Sequence, residues 1–346
     1  MAIIDLYKPL TKQKVSVGPE VSTDQYILGL ETSCDETAAA IVLNGRKVLS
    51  NVVSSQIDIH QVYGGVVPEV AAREHLESIN IVIDEALKQA QIKPDDLTAV
   101  ASTVGPGLVG ALLVGVSAAK ALCFAKDIPF IGVNHLKAHV CANYLDTDLE
   151  PPFICLLVSG GHTQIIIVKS YGTQEILGQT LDDAAGEAYD KVARLMDFPY
   201  PGGPNLDKAA KEGDMFAYQL PVAKVEGYNF SFSGLKTAVL RLMQQNKGNI
   251  NPEDFSASFQ EVMTETLLAK TLKASDEYGI KTLVLAGGVA ANSGLRAKFL
   301  SLDDSYKVFV PPLKYCTDNA AMVASAGYFV EGYYNLDFEV FSRGNN

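Results

Sequence analysis

The chain has 346 residues, 48% of them apolar and 20% charged, with a formal net charge of −12 at pH 7. That length suits about two domains of roughly 100–200 residues each, and the apolar content excludes a disordered chain. The acidic balance counts against a free-standing nucleic-acid binder, so an RNA substrate would call for a local basic patch or a basic partner subunit.

Residues 1–25 lack the apolar core of a signal peptide and the Arg-rich bias of a transit peptide, and they read as a poorly ordered extension. A strand over 26–30, the polar turn Glu31-Thr32-Ser33-Cys34-Asp35-Glu36-Thr37 and a strand over 38–43 follow. Helical periodicity runs over 69–91 and breaks at Lys93-Pro94. A strand is expected over 97–103, and Gly105-Pro106-Gly107 opens a helix over 108–125. Gly110, Gly115, Ser117 and Lys120 interrupt that apolar helix, so it reads as buried rather than as a membrane span. A strand over 128–133 leads into a helix carrying His135 and His139.

The strand–turn–strand pattern returns over 153–158, Ser159-Gly160-Gly161-His162-Thr163 and 164–168, which suggests a duplicated α/β unit. Helices over 182–196 and 255–278, with a turn at 199–204, precede a buried strand over 281–286. Gly287-Gly288-Val289-Ala290-Ala291-Asn292, a helix over 293–300 and a last helix from Asp318 to about 334 complete the reading. Such alternation predicts sheets with helices on their faces. The cysteines, Cys34, Cys123, Cys141, Cys155 and Cys316, are odd in number without a C-x-x-C pair, which favours reduced thiols in a cytosolic setting.

Histidines four apart on a helix share one face, so His135 and His139 can hold one metal ion; a surface residue beside a satisfied core histidine is the plain alternative. Asp318 fits a helix N-cap, or a third ligand in a set that suits iron(II) or zinc. The glycines of the 159–163 turn let backbone N–H groups face an anion, although an ordinary hairpin turn explains them too. Gly287-Gly288 lies where open α/β sheets bind ligands; the 287–292 segment is not G-x-G-x-x-G, and no Walker sequence occurs, which disfavours dinucleotide and Walker-type sites. Asp190 and Lys191 are charges on an otherwise apolar helix.

Together these segments, with Pro201-Gly202-Gly203-Pro204, Phe232-Ser233-Gly234-Leu235-Lys236-Thr237 and Cys316-Thr317-Asp318-Asn319, resemble the TsaD family from about Tyr26 to the last helix. That family comprises the tRNA N6-adenosine threonylcarbamoyltransferases once described as O-sialoglycoprotein endopeptidases. The resemblance implies an α/β fold of two actin-like (ASKHA, RNase H-like) domains with the active site in the interdomain cleft. The first domain is expected over 26–134 plus about 319–346, and the second over 135–318. It implies transfer of threonylcarbamoyl from threonylcarbamoyl-AMP to N6 of the adenosine 3′ of the anticodon, in tRNAs reading ANN codons.

By the same resemblance His135, His139 and Asp318 hold one divalent ion, iron(II) first and zinc second. Val158, Ser159, Gly160, Gly161, His162, Asp190, Gly203, Asp207, Gly288 and Asn292 bind the adenylate, and ATP, ADP or AMP can occupy the site. Asp190, Asp35 and Glu36 are the candidate catalytic carboxylates. The implied partners are tRNA and TsaB- and TsaE-type subunits, with a homodimer as another assembly, no membrane, and a cytoplasmic location. The family motif carries an acidic residue between the histidines where this chain has Lys137. A metallopeptidase needs H-E-x-x-H, and Leu136 stands in place of its general base. A non-catalytic nucleotide-binding scaffold is the remaining alternative, and the His135, His139 and Asp318 set argues against it.

Overall fold

Runs of Ile, Val, Leu and Ala set the two sheets of the chain, seen in a computed structural model that describes residues 17–223, 225–245, 249–329 and 339–342. Two units form: the first takes in Met1–Ser55, Pro68–His135 and Asn319–Asn346, the second Gln56–Val67 and Leu136–Asp318. The first sheet consists of β1 (Tyr26–Glu31), β2 (Glu36–Leu43), β3 (Lys47–Ser55), β4 (Ala99–Gly105) and β5 (Phe130–Asn134), in the order β3-β2-β1-β4-β5. Neighbours β1–β2 and β2–β3 are antiparallel, whereas β1–β4 and β4–β5 are parallel.

The second sheet consists of β6 (Phe153–Val158), β7 (Thr163–Ser170), β8 (Thr173–Gln179), β9 (Thr282–Ala286) and β10 (Lys307–Phe309). Its order, β8-β7-β6-β9-β10, repeats the first sheet strand for strand, with the same antiparallel and parallel pairs. This is the duplicated unit that the two similar hairpins suggested.

The helices are α1 (Ile57–Gln61), α2 (Pro68–Ala90), α3 (Val109–Lys126), α4 (His135–Cys141), α5 (Ala185–Leu195), α6 (Gly202–Ala210), α7 (Ser233–Gln245), α8 (Pro252–Tyr278), α9 (Ser293–Leu300) and α10 (Ala320–Phe329). In the first unit Leu28, Leu30, Ala39 and Ile41 point from the sheet into a core shared with Ile79, Val82 and Ala86 of α2 and Val114, Val116 and Ala119 of α3. The opposite face of the sheet takes α10 at close range: a Cβ on Gly29 would lie 2.2 Å from the Ala320 carbonyl oxygen. In the second unit Ile154, Leu156, Ile165, Leu283 and Leu285 meet α5, α8 and α9 through Tyr189, Val192, Phe255, Phe259 and Phe299. Such continuously apolar strands are the signature of sheet centres covered on both faces.

Three sequence expectations differ from the structure. Residues 17–25 are tied down rather than loose, because buried Gln25 donates from Nε2 to the Gly18 carbonyl (3.0 Å) and accepts from its N–H (2.9 Å); residues 1–16 lie outside the described residues. Gln56–Val67 belongs to the second unit, not the first; there the buried His60 accepts the Val67 N–H and pairs with Gln56, contacts that no apolar periodicity announces. Helix α3 is buried on one side only. It is long and apolar enough to cross a bilayer, its face at Ala111, Val114, Ala119 and Cys123 is buried, and Val109, Leu113 and Phe124 are exposed.

Candidate active site

Strand β5 runs straight into α4, which places His135 and His139 one turn apart on one helix face. Asp318 joins them, and one ligand atom from each of the three lies within 4.8 Å of the others. His139 Nε2 is 3.1 Å from Asp318 Oδ1. Asp318 is not the N-cap of α10, since Asn319 Oδ1 accepts the Met322 N–H at 3.1 Å. That releases the Asp318 carboxylate for the histidine cluster.

Behind His135 stands Glu31, which has no solvent exposure. Its Oε2 lies 3.1 Å from His135 Nδ1 and accepts the Thr103 hydroxyl at 2.6 Å, while Oε1 accepts the Ser33 N–H at 2.6 Å. With Nδ1 engaged this way, His135 presents Nε2 to the cluster. Two imidazoles and a carboxylate, one imidazole backed by a buried carboxylate, form a donor set that fits a borderline divalent cation. Lys137 is half-buried on the same helix, and its charge partly offsets the burial that pushes the Cys141 thiol up to about 12.

Within the second unit a cavity of about 280 Å³ is lined by the β6–β7 turn, α5, the start of α6 and the segment after β9. Six sequence-selected residues meet there: Gly160, Asp190, Gly203, Asp207, Gly288 and Asn292. Two close approaches build its walls. A Cβ on Gly186 of α5 would come within 2.7 Å of the Ser159 carbonyl oxygen, and Gly186 N–H donates to that oxygen at 3.3 Å. Gly287 adopts φ +88 and passes so near β6 that a Cβ would sit 2.4 Å from the Val158 carbonyl oxygen.

The polar side chains of the cavity are held firmly. Asp190 Oδ1 accepts the Gly203 N–H at 3.0 Å and so fastens the first turn of α6. Burial pushes the Asp190 carboxyl above its usual range, with the Gly203 and Gly202 N–H groups and Arg194 pulling the other way. Asp207 Oδ1 accepts both the N–H (3.0 Å) and the hydroxyl (2.8 Å) of Ser293. Asn292 caps α9 through the Leu295 N–H and donates to Gln260 Oε1 at 2.7 Å.

Other candidates lie elsewhere. Val158 has its side chain in the core, so only its backbone is available to a ligand. Ser159 accepts the His162 N–H at its hydroxyl, closing a turn in which neither it, Gly161 nor His162 lines the cavity. Asp35 and Glu36 belong to the first unit, at the β1–β2 turn, where Glu36 accepts the Ser55 hydroxyl at 3.4 Å. The 31–37 turn is no solvated loop, because Glu31, Thr32, Ser33 and Thr37 are all buried. Sequence reasoning passed over Tyr189 and Gly186, although Gly186, four residues before Asp190, lies on the same helix face.

The family model for TsaD, tRNA N6-adenosine threonylcarbamoyltransferase, matches residues 47–325. A tRNA N6-adenosine threonylcarbamoyltransferase of Caldicellulosiruptor saccharolyticus is 56% identical over 309 residues, 88% of this chain and 92% of that protein. One from Bacillus subtilis is 54% identical over 327 residues, 91% and 94% of the two chains. Among solved structures, T. kodakarensis HypF aligns with a TM-score of 0.60 at 14% identity, over 90% of this chain and 48% of its own. Component A of the Acidaminococcus fermentans (R)-2-hydroxyglutaryl-CoA dehydratase aligns at 0.51 and 15% identity, over 88% and 98%. The repeated mixed sheets define an α/β protein of the actin-like class, here with a His–His–Asp cluster. The chain belongs to the TsaD family and is a transferase that modifies tRNA.

Proposed function

We propose that the chain transfers the threonylcarbamoyl group from threonylcarbamoyl-AMP to N6 of the adenosine 3′ of the anticodon in tRNAs reading ANN codons. The observation that carries this reading is the meeting of Gly160, Asp190, Gly203, Asp207, Gly288 and Asn292 around one cavity. Its walls combine apolar Pro201, Pro204, Val289 and Ala291 with two carboxylates, which suits a nucleoside better than a polyanion. The phosphate end of the adenylate is assigned to the 159–162 turn, where Gly160 and Gly161 leave open space. Val158, Ser159 and His162 take part through the backbone and hydroxyl of that turn.

In the reaction the N6 amine attacks the carbamoyl carbon, the bond to the phosphate oxygen breaks, AMP departs and the amine loses a proton. His135, His139 and Asp318 would hold one divalent ion, iron(II) before zinc, which supplies positive charge for the donor's oxygens. Asp190 keeps the α6 terminus at the cavity and orients the adenylate. Asp35 and Glu36 are the other two candidate catalytic carboxylates of this reading.

The partners we propose are TsaB- and TsaE-type subunits, with a second copy of the chain as the other assembly, in the cytoplasm where tRNA is found. The exposed apolar residues Val109, Leu113 and Phe124 of α3, beside Leu76 and Ile81 of α2, support a docking face on the first unit. The test supplies tRNA, threonine, bicarbonate, ATP, an adenylate-forming enzyme and both partner subunits, then digests the tRNA for mass spectrometry. Threonylcarbamoyladenosine is the expected product; none, beside an active control, refutes the assignment.

A further inference from the structure

The buried residues Ala71, His75, Ile79, Val82 and Ala86 recur along α2 at spacings of three and four, so they share the helix face turned to the core. All but one are apolar. His75 has no solvent exposure, at a position where an aliphatic side chain would pack without burying polar atoms. Each of its ring nitrogens is engaged by the hairpin of β1 and β2. Nε2 lies 3.0 Å from the Cys34 carbonyl oxygen, and Nδ1 lies 2.7 Å from the Thr37 hydroxyl. A carbonyl oxygen only accepts, so Nε2 carries the proton, and in the neutral ring Nδ1 accepts from Thr37.

Asp35 and Glu36 lie between these two anchors. Glu36 is also tied to Ser55. The Asp35 carboxylate is half-buried and has no hydrogen bond or ion pair among the described residues, so its place is set by the backbone on either side. Before Cys34 the turn is fastened by Ser33, whose carbonyl accepts the Leu108 N–H at 2.8 Å. The Ser33 hydroxyl lies 3.2 Å from His135 Nδ1. Asp35 therefore stands two residues from a side chain that touches a histidine of the metal cluster.

We propose that His75 is a positioning residue for the transfer: by clamping Cys34 and Thr37 it holds the Asp35 carboxylate in place, and it touches no substrate itself. This rests on the reading of Asp35 as a catalytic carboxylate given above. A carboxylate on a short turn contributes to a reaction only while its backbone is fixed, which is what a polar side chain in an apolar helix face provides here.

The experiment measures threonylcarbamoyladenosine formation by the full chain with its partner subunits, excess adenylate-forming enzyme and varied tRNA. It compares wild type, His75→Phe, Asp35→Asn and the double variant. His75→Phe keeps a ring in the core and removes both anchors. Its kcat should fall about 10–100-fold, with KM for tRNA within about twofold of wild type. ADP affinity by calorimetry should be unchanged, since the nucleotide cavity belongs to the second unit. In the Asp35→Asn background the same substitution should cost less than about threefold more, because the group it positions is gone. Thr37→Val releases one anchor, should show the same pattern with a smaller loss, and decides the question if melting curves show His75→Phe unfolded. Wild-type kcat in the folded variant, or its full loss repeated on Asp35→Asn, overturns the inference and leaves the role of Asp35 standing. A matching loss of ADP affinity marks general disruption and overturns it as well. Asp35→Asn at the wild-type rate overturns both.

Discussion

A carboxylate shut away from water is costly unless each oxygen is hydrogen-bonded, and Glu31 meets that condition through Ser33, Thr103 and His135. Its placement against His135 Nδ1 sets the imidazole's tautomer and orientation, so the effect of replacing it should appear in metal affinity. Glu31→Gln keeps the shape but offers His135 an amide in place of a charge. Binding of iron(II) or zinc, followed by competition with a chelating dye, should weaken about 10–100-fold. The melting temperature without metal, taken in parallel, separates this from unfolding, and unchanged affinity would exclude a positioning role. At this scale the His–His–Asp cluster was legible, since i,i+4 histidines can share a metal. Glu31 was not, because in sequence it is one more acidic residue of a polar turn. Its burial follows from pairing with Ala38 across the hairpin and from β4 alongside β1.

Elements were readable where both faces are buried. The runs forming β1, β2, β6, β7 and β9 are apolar enough to declare themselves, whereas β3, β8 and β10 are polar edge or near-edge strands that carry exposed residues and break the pattern. Helix α6 was taken for a turn because it opens with Pro201-Gly202-Gly203-Pro204. Proline is tolerated in a first helical turn, where N–H groups lack intrahelical acceptors, and Asp190 takes the one at Gly203. The glycines of the cavity separate into two kinds. Gly160→Ala meets open space and should leave the melting temperature within error while weakening nucleotide binding. Gly186→Ala drives a methyl group into the Ser159 carbonyl and should cost about 1–3 kcal/mol in denaturant unfolding. Equal stability losses in the two variants would mean that the wall between α5 and the turn is not tightly packed.

For the whole molecule, the duplication was visible as two hairpins around hydroxyl- and glycine-bearing turns, and the identical strand orders give it a physical basis. The return of Gln56–Val67 to the second unit was not visible, since 12 residues between a strand and a helix carry no periodic signal. The strongest unspent feature at this scale is the outer side of α2 and α3. A buried helix face is explained by its own core, but Leu76, Ile81, Leu113 and Phe124, each 49–70% exposed, gain nothing from the fold. An acidic chain that acts on tRNA also gains from a partner contributing basic surface, which makes an apolar docking face useful. Leu113→Glu places a charge on the exposed side of α3 without disturbing its buried side. Its stability should stay within about 0.5 kcal/mol of wild type. Calorimetry with the TsaB-type subunit should show affinity lower by tenfold or more, because a charge buried at an interface is left unpaired. Sizing by light scattering, with and without that subunit, distinguishes loss of the heteromer from loss of a second copy of the chain. Full affinity together with a normal fold would move the docking face elsewhere on the molecule.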